Sequence, residues 1–253
     1  RFWMSTATTQ PPVGVPAPGA DRPLPLPASL WRDLALIALP AFAITLAGFF
    51  VPIDVHIARA ILDRKAAIGA IGYDLSLISY AVAVVLLAAM LVPAVRRRWP
   101  IWVRCGAVFV MTMIIAVLGF IQNTKRELDR PRPYEVRELG GRYAFTMPFG
   151  SDPACDDCTS FPSSAAGSAF LLCTPYFVLR RRHRRAAVGF LLTGLVWGSL
   201  VGYARMVPGL HWLTDVVWSG AFVLCTASVL SHLTVGWRDG PAVSTENQAP
   251  ATE

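Results

Sequence analysis

Charge is what this sequence has least of. Only 15% of its 253 residues are Asp, Glu, Lys or Arg, while 54% are hydrophobic. A soluble domain carries charge on about a quarter of its positions, so this shortage excludes an ordinary water-soluble globule. Lysine is nearly missing, present only as Lys65 and Lys125, and the net charge of +7 is therefore carried by arginine. Histidine occurs four times, too thinly for a second His cluster that would complete a metal site. The start of the chain lacks a charged segment running into a short apolar core and a cleavage site, so it does not read as a signal peptide. It opens at Arg1, and Met4 is read as the start.

What is present is apolar sequence in long runs, with a mean hydropathy of +0.48. Six stretches stand out, roughly Leu34–Ile53, Leu75–Val95, Ile101–Gln122, Pro162–Leu179, Ala186–Tyr203 and Leu213–Val235. A helix crossing the hydrocarbon core needs about 20 apolar residues. The stretches are apolar all round, where a soluble bundle shows polar faces at helical period. The expected fold is all-α, a polytopic membrane protein with six transmembrane helices in a domain spanning 31–236. Residues 1–30 and 237–253 are Pro-, Ala- and Thr-rich or polar, without apolar periodicity, and read as disordered cytoplasmic tails.

Arginine sets the orientation. Arg96, Arg97 and Arg98 lie between the second and third stretches, and Arg180, Arg181, Arg182, Arg184 and Arg185 flank His183 between the fourth and fifth. Short Arg-rich loops stay cytoplasmic, which also accounts for the basic run without a nucleic-acid partner. Both termini are then cytoplasmic and the opposite loops face outward. The outer link Asp54–Asp74 reads as interfacial and carries no identifiable chemistry.

Three outward regions break the apolar pattern. Lys125 to Pro133 (KRELDRPRP) closes the third stretch, Ser160 to Ala165 (SFPSSA) opens the fourth, and Arg205 to Asp215 (RMVPGLHWLTD) joins the fifth to the sixth. Lys125 is a compact point charge, and Arg132 and Arg205 are planar forks that match phosphate oxygens. Pro162, Ser163 and Ser164 read as the first turn of a helix, whose free amides favour an anion. His211 and Asp215 are four residues apart, one helical face. Asp215 is expected to accept a hydrogen bond from one imidazole nitrogen and leave the other free to attack. Each region alone is ordinary: a snorkelling cation, a proline helix stop, a structural His-x-x-x-Asp. Their shared side and fixed order carry the reading.

At these residues the chain resembles the type 2 phosphatidic acid phosphatase superfamily of membrane lipid phosphatases, whose signature is K-x6-R-P, P-S-G-H and S-R-x5-H-x3-D. Lys125, Arg132 and Pro133 match the first block. Arg205, His211 and Asp215 match the third, with Ala204 in place of Ser. The resemblance covers about Leu34 to Val235. It implies metal-independent hydrolysis of a lipid phosphate monoester or diphosphate through a phosphohistidine on His211, oriented by Asp215, with no cofactor. Lys125, Arg132, Ser163, Ser164 and Arg205 would hold the phosphoryl oxygens. A looser likeness, through Gly140, Gly141, Phe145, Cys155 and Cys158 to Phe161, points to bacterial lipid A phosphatases and a lipid A-type substrate at the periplasmic face of an inner membrane.

The second block departs from the pattern. Pro162-Ser163-Ser164-Ala165 leaves Ala165 at the position of the general-acid His, a group worth typically 10²–10⁴-fold. Three readings stand open: a weakened enzyme, an acid recruited from Asp152, Asp156 or Asp157, or a diphosphate substrate whose leaving group needs little protonation. A catalytically silent phospholipid-binding membrane protein is the alternative from another class.

Of five cysteines, Cys105, Cys173 and Cys225 fall within apolar stretches as packing residues. Cys155 and Cys158 share the outer loop and are candidates for a disulfide in an oxidising compartment. A redox C-x-x-C site normally opens a helix in a thioredoxin-like domain, and no such domain is legible here.

Overall fold

The structure, a computed structural model, describes residues 27–235. Most of both expected tails lies outside the described residues. Ala28–Leu30, assigned by sequence to the first tail, instead begins helix α1 (Ala28–Phe50), where Pro27 supplies an extended N-cap and the helix continues through Pro40 to the extended Val51. After α1 come a short α2 (Ile53–Ile61), α3 (Ile68–Leu91), α4 (Pro93–Arg98) and α5 (Pro100–Thr112). α5 runs unbroken through a π-helical stretch, Met113–Ile121, into α6 (Gln122–Glu127). After a long loop follow α7 (Ser164–Phe170), a 3-10 turn at Leu171–Cys173, α8 (Thr174–Leu179), α9 (Arg184–Met206) and α10 (Leu213–Val235).

The protein is all-α and polytopic. Five helices are long and apolar enough to cross a membrane: α1, α3, continuous α5–α6, α9 and α10, with hydropathies of 1.6–2.2. Their outer surfaces expose Leu46, Phe49, Val84, Leu192 and Leu200, which is sensible only where the solvent is lipid. The sixth expected span is shorter. Ser164–Leu179 comprises 16 residues, roughly 24 Å of helix at 1.5 Å per residue. Almost all of α7 and α8 is buried. Protein rather than lipid surrounds this segment, so bilayer thickness does not set its length. It also starts two residues later than the sequence suggests: Pro162 stands outside the helix and Ser163 is the N-cap, its hydroxyl accepting from the Ala166 amide at 3.4 Å.

The segment is held by close approach of α9. Gly194, Gly198 and Gly202 form one stripe of α9, and a Cβ on them would strike Cys173, the Phe170 ring and Val216 in turn. Without a hydrophobic force between helices in lipid, small residues at such seams let dispersion contacts form. α9 thereby pins α7–α8 on one side and α10 on another.

The inter-helix loops gather at the two ends of the bundle. At one end the Asp63 amide donates to Val207 O at 2.8 Å, the Tyr134 amide to Gly209 O at 3.3 Å, and Arg64 to Leu139 O at 2.6 Å. Gly209 has a φ of 77°, a left-handed turn that returns the chain toward α10. At the other end Arg180 pairs with Asp33 at 2.6 Å and Ser29 lies 3.2 Å from His232. The three polar regions of the sequence thus share one end, and the Arg180 loop lies at the opposite one.

Candidate active site

Two loop segments joined by a parallel bridge between Arg130 and Thr159 frame the site. Residues 128–132 lie along 158–160, with the Ser160 amide donating to Arg130 O at 3.1 Å. This pairing puts Arg130 and Arg132 next to Thr159 and Ser160, and Arg130 and Ser160 reach the first turn of α10.

His211 does not lie on α10, whose first residue is Leu213. The sequence argument from one helical face therefore fails, and the pair meets through a helix cap instead. Trp212 is the residue before the helix, and its amide donates to Asp215 Oδ2 at 2.8 Å, the reaching-back carboxylate of a capping box. The same oxygen accepts from Ser160 Oγ at 2.6 Å. His211 Nδ1 sits 2.7 Å from Ser160 O but 3.5 Å from Asp215 Oδ2. A 3.5 Å separation is at the margin of a hydrogen bond, so the Ser160 carbonyl, rather than the expected Asp215, accepts the Nδ1 proton. Nε2 is left deprotonated with its lone pair free. Asp215 acts one step back, fixing Ser160 and through it the ring.

Burial pushes the His211 pKa down to about 4, the Lys125 and Arg205 charges add to the shift, and Asp215 opposes it. The imidazole is accordingly neutral at ordinary pH. The same charges describe the surroundings: Lys125 lies within electrostatic reach of Arg132, Asp215 and Arg205, and His211 within reach of Lys125 and Arg205. Lys125, Arg132, Arg205 and His211 are therefore neighbours at one end of the bundle.

The two arginines are anchored while retaining donors. Arg132 donates to Thr159 Oγ1 at 2.9 Å and to the Tyr134 hydroxyl at 3.3 Å. Arg205 donates through Nη1 to Gly69 O at 2.7 Å and lies 5.7 Å from the Tyr73 ring. Its Nε is buried and has no partner among the described residues. Buried donors are seldom left unpaired, and a phosphoryl oxygen would pair this one. The Ser163 hydroxyl is engaged as the α7 cap, Ser164 is the first helical residue, and Ala165 packs with Ala169 and Val201 beside Leu75 and Trp197.

Sequence reasoning missed the most deeply set part of the site. Arg130 is fully buried, donating to Asp54 Oδ2 at 2.8 Å, Thr214 Oγ1 at 2.9 Å, Thr146 O at 3.0 Å and Asp215 Oδ1. Rings of Phe145, Phe161 and Trp212 lie within about 6 Å of the guanidinium. Asp54, on α2, also accepts from the Thr214 amide at 3.0 Å and the Thr214 hydroxyl at 2.5 Å. The segment read as carrying no chemistry thus supplies the carboxylate that seats the first turn of α10. One signal pointed to it: Asp54 interrupts an apolar run, and such carboxylates require a partner.

The carboxylates considered as substitute acids do not suit that task. Asp152 accepts from the Ala154 and Ala144 amides at 3.0 and 2.9 Å, which hold its carboxyl below the usual range. Asp156 and Asp157 are exposed to solvent. They line an open basin of about 590 Å³ with Arg64, Tyr134, Glu135, Arg142 and Tyr143. Cys155 and Cys158 are joined as a disulfide, with Cα atoms 5.7 Å apart. Glu135 lies close enough to both sulfurs to suggest a metal cluster, but joined sulfurs offer no thiolate to a metal.

The sequence profile of the PAP2 superfamily matches residues 106–239, more than half of the chain. Lipid A 4'-phosphatase of Francisella tularensis subsp. novicida (strain U112) is 32% identical over 109 residues, covering 43% of this chain and 48% of that protein. The chain thus spans about half the length of the curated relative it matches. No solved structure matches significantly.

Proposed function

The chain belongs to the PAP2 superfamily, and from that membership we propose that it hydrolyses a membrane lipid phosphate through a phosphohistidine intermediate on His211. Nε2 attacks phosphorus, the bond to the lipid oxygen breaks, and water then cleaves the P–N bond to release phosphate and a neutral imidazole. Lys125, Arg132 and Arg205 stabilise charge on the equatorial oxygens, which is most of what phosphoryl transfer asks of a protein. The observation that carries this reading is the buried His211, with Nδ1 engaged by Ser160 O and Lys125 and Arg205 within electrostatic reach. A bacterial inner membrane, with the site outward and both termini cytoplasmic, follows from the Arg-rich loops at the opposite end.

A lipid A-type substrate is the preferred one. Its support is the similarity to a lipid A 4'-phosphatase and the open polar basin lined by Arg64, Tyr134 and Arg142, which has room for a large headgroup outside the bilayer.

The pH profile tests the nucleophile. A depressed histidine pKa keeps the attacking form through the range where an ordinary imidazole protonates. The acid limb of kcat/KM is expected near pH 4, and a limb at the ordinary value of about 6.5 would contradict the burial argument. The linked stability is complete above the unfolded value and is lost as pH falls through the folded one.

Ala165 places the burden on the leaving group. A lipid diphosphate, whose terminal phosphoryl group passes to His211 while the lipid phosphate departs, is expected to turn over faster than the matching monophosphate; equal rates, or faster monophosphate release, would remove this idea. Position 165 faces α9 at Val201, one turn before Arg205. Ala165→His is therefore expected to raise monophosphate turnover by about tenfold or more, at roughly 1–3 kcal/mol of stability for overpacking beside Trp197. Phosphate release assays and thermal unfolding in detergent read the two effects separately. Ala165 also favours the second reading, a silent phospholipid-binding protein. In that case lipids bind but no phosphate is released by wild-type protein beyond a His211→Ala control.

A further inference from the structure

At the end of the bundle remote from His211 the starts of α1 and α9 and the end of α8 enclose a cavity of about 430 Å³. Four arginines line it, Arg32, Arg180, Arg181 and Arg184, against one carboxylate, Asp33. That carboxylate is already consumed: Asp33 pairs with Arg180 at 2.6 Å and accepts from Ser228 Oγ at 3.1 Å. Arg180 is further held over the rings of Tyr176 and Phe177, at 5.7 and 5.5 Å. The floor is therefore fixed, while Arg32, Arg181 and Arg184 at the rim form no salt bridge among the described residues.

Two helix N-termini open onto the same cavity. α1 and α9 both start without a side-chain cap and without an acidic residue in the first turn. Both leave amide donors and the positive ends of their dipoles facing it. The positive-inside rule explains arginines in this loop, but not their convergence on a concavity that already has two uncapped helices. The wall next to the rim is apolar: Leu36 and Val188, 66% and 39% exposed, continue the cavity along the lipid-facing surfaces of α1 and α9. A soluble anion has no use for that wall, whereas acyl chains do.

We infer that this cavity binds the headgroup of an anionic phospholipid in the leaflet opposite the catalytic cluster. The phosphodiester sits among Arg32, Arg181 and Arg184, and its chains lie along Leu36 and Val188. A phosphodiester is not a substrate for the hydrolysis proposed above, so occupancy here is separate from turnover and independent of that reading.

The test measures binding of phosphatidylglycerol to detergent-purified full-length protein by thermal shift, with bound lipids counted by native mass spectrometry. Phosphatidylcholine and inorganic phosphate serve as comparison ligands. Wild type is expected to be stabilised by phosphatidylglycerol alone. Arg181→Gln/Arg184→Gln, both on exposed side chains, should bind it roughly 30-fold more weakly. Arg96→Gln/Arg97→Gln removes the same charge from α4, which does not line the cavity, and should bind as wild type. The proposal is overturned if the first double variant binds as wild type, or if both double variants lose affinity equally. It is also overturned if inorganic phosphate reproduces the Arg181- and Arg184-dependent shift.

Discussion

His211→Ala is expected to lower lipid phosphate release by about 10⁴–10⁶-fold, the equivalent of roughly 5–8 kcal/mol of barrier. Such a loss exceeds what any one phosphate-holding cation can cause, because those groups share the anion among three side chains and the reaction has a single nucleophile. The variant should remain folded. The ring is buried and its anchoring contact is with Ser160 O, so truncation leaves one carbonyl unpaired, at about 1–3 kcal/mol. Unfolding temperature in detergent is thus expected to move little while activity disappears. A second readout separates covalent from general-base chemistry: wild type quenched during turnover should carry an acid-labile, base-stable phosphoryl group, and the variant should carry none. A variant retaining more than about one hundredth of wild-type turnover would remove His211 from the covalent role.

The parts of this molecule that were legible in its sequence follow from solvent. Five helices were foreseeable because lipid demands uninterrupted apolar residues, and hydropathy reads that demand directly. The sixth, Ser164–Leu179, was legible as an apolar run, but its shortness was not: it is enclosed by α9, α10, α3 and α5. Composition does not distinguish lipid contact from protein contact. At the site, Lys125, Arg132, Arg205 and His211 were legible as exceptions at fixed spacing. The hydrogen-bond order among them was not. A spacing of four suggested that Asp215 grips His211, whereas the cap at Trp212 turns the carboxylate toward Ser160 and leaves the imidazole with a backbone carbonyl. Backbone acceptors have no sequence signature. Asp54 and Arg130 were hidden for a different reason: each lies in a segment explained well enough by topology, and only tertiary contact over 76 residues joins them.

The second large effect is expected from that join. Arg130 is the one cation within salt-bridge distance of both Asp54 and Asp215 among the described residues. Arg130→Ala would leave two buried carboxylates facing each other's surroundings without a counter-charge. Breaking one buried pair from one side costs about 3–5 kcal/mol, and two pairs lean toward the upper end. For a chain of this size that lowers the unfolding temperature by on the order of 10 °C. Lysine is expected to rescue little, because one ammonium cannot reproduce the fork that reaches Asp54 through Nη2 and both Thr214 and Asp215 through Nη1. Asp54→Asn in the Arg130→Ala background should recover part of the loss by removing one stranded charge. The double variant should then be more stable than Arg130→Ala alone, although Asp54→Asn destabilises the wild type. That inversion is a coupling energy between the two positions, and a merely space-filling arginine would not produce it. Additive losses in this cycle, or an Arg130→Ala protein melting within about 2 °C of wild type, would show that the first turn of α10 holds Asp215 and His211 in place without the buried guanidinium.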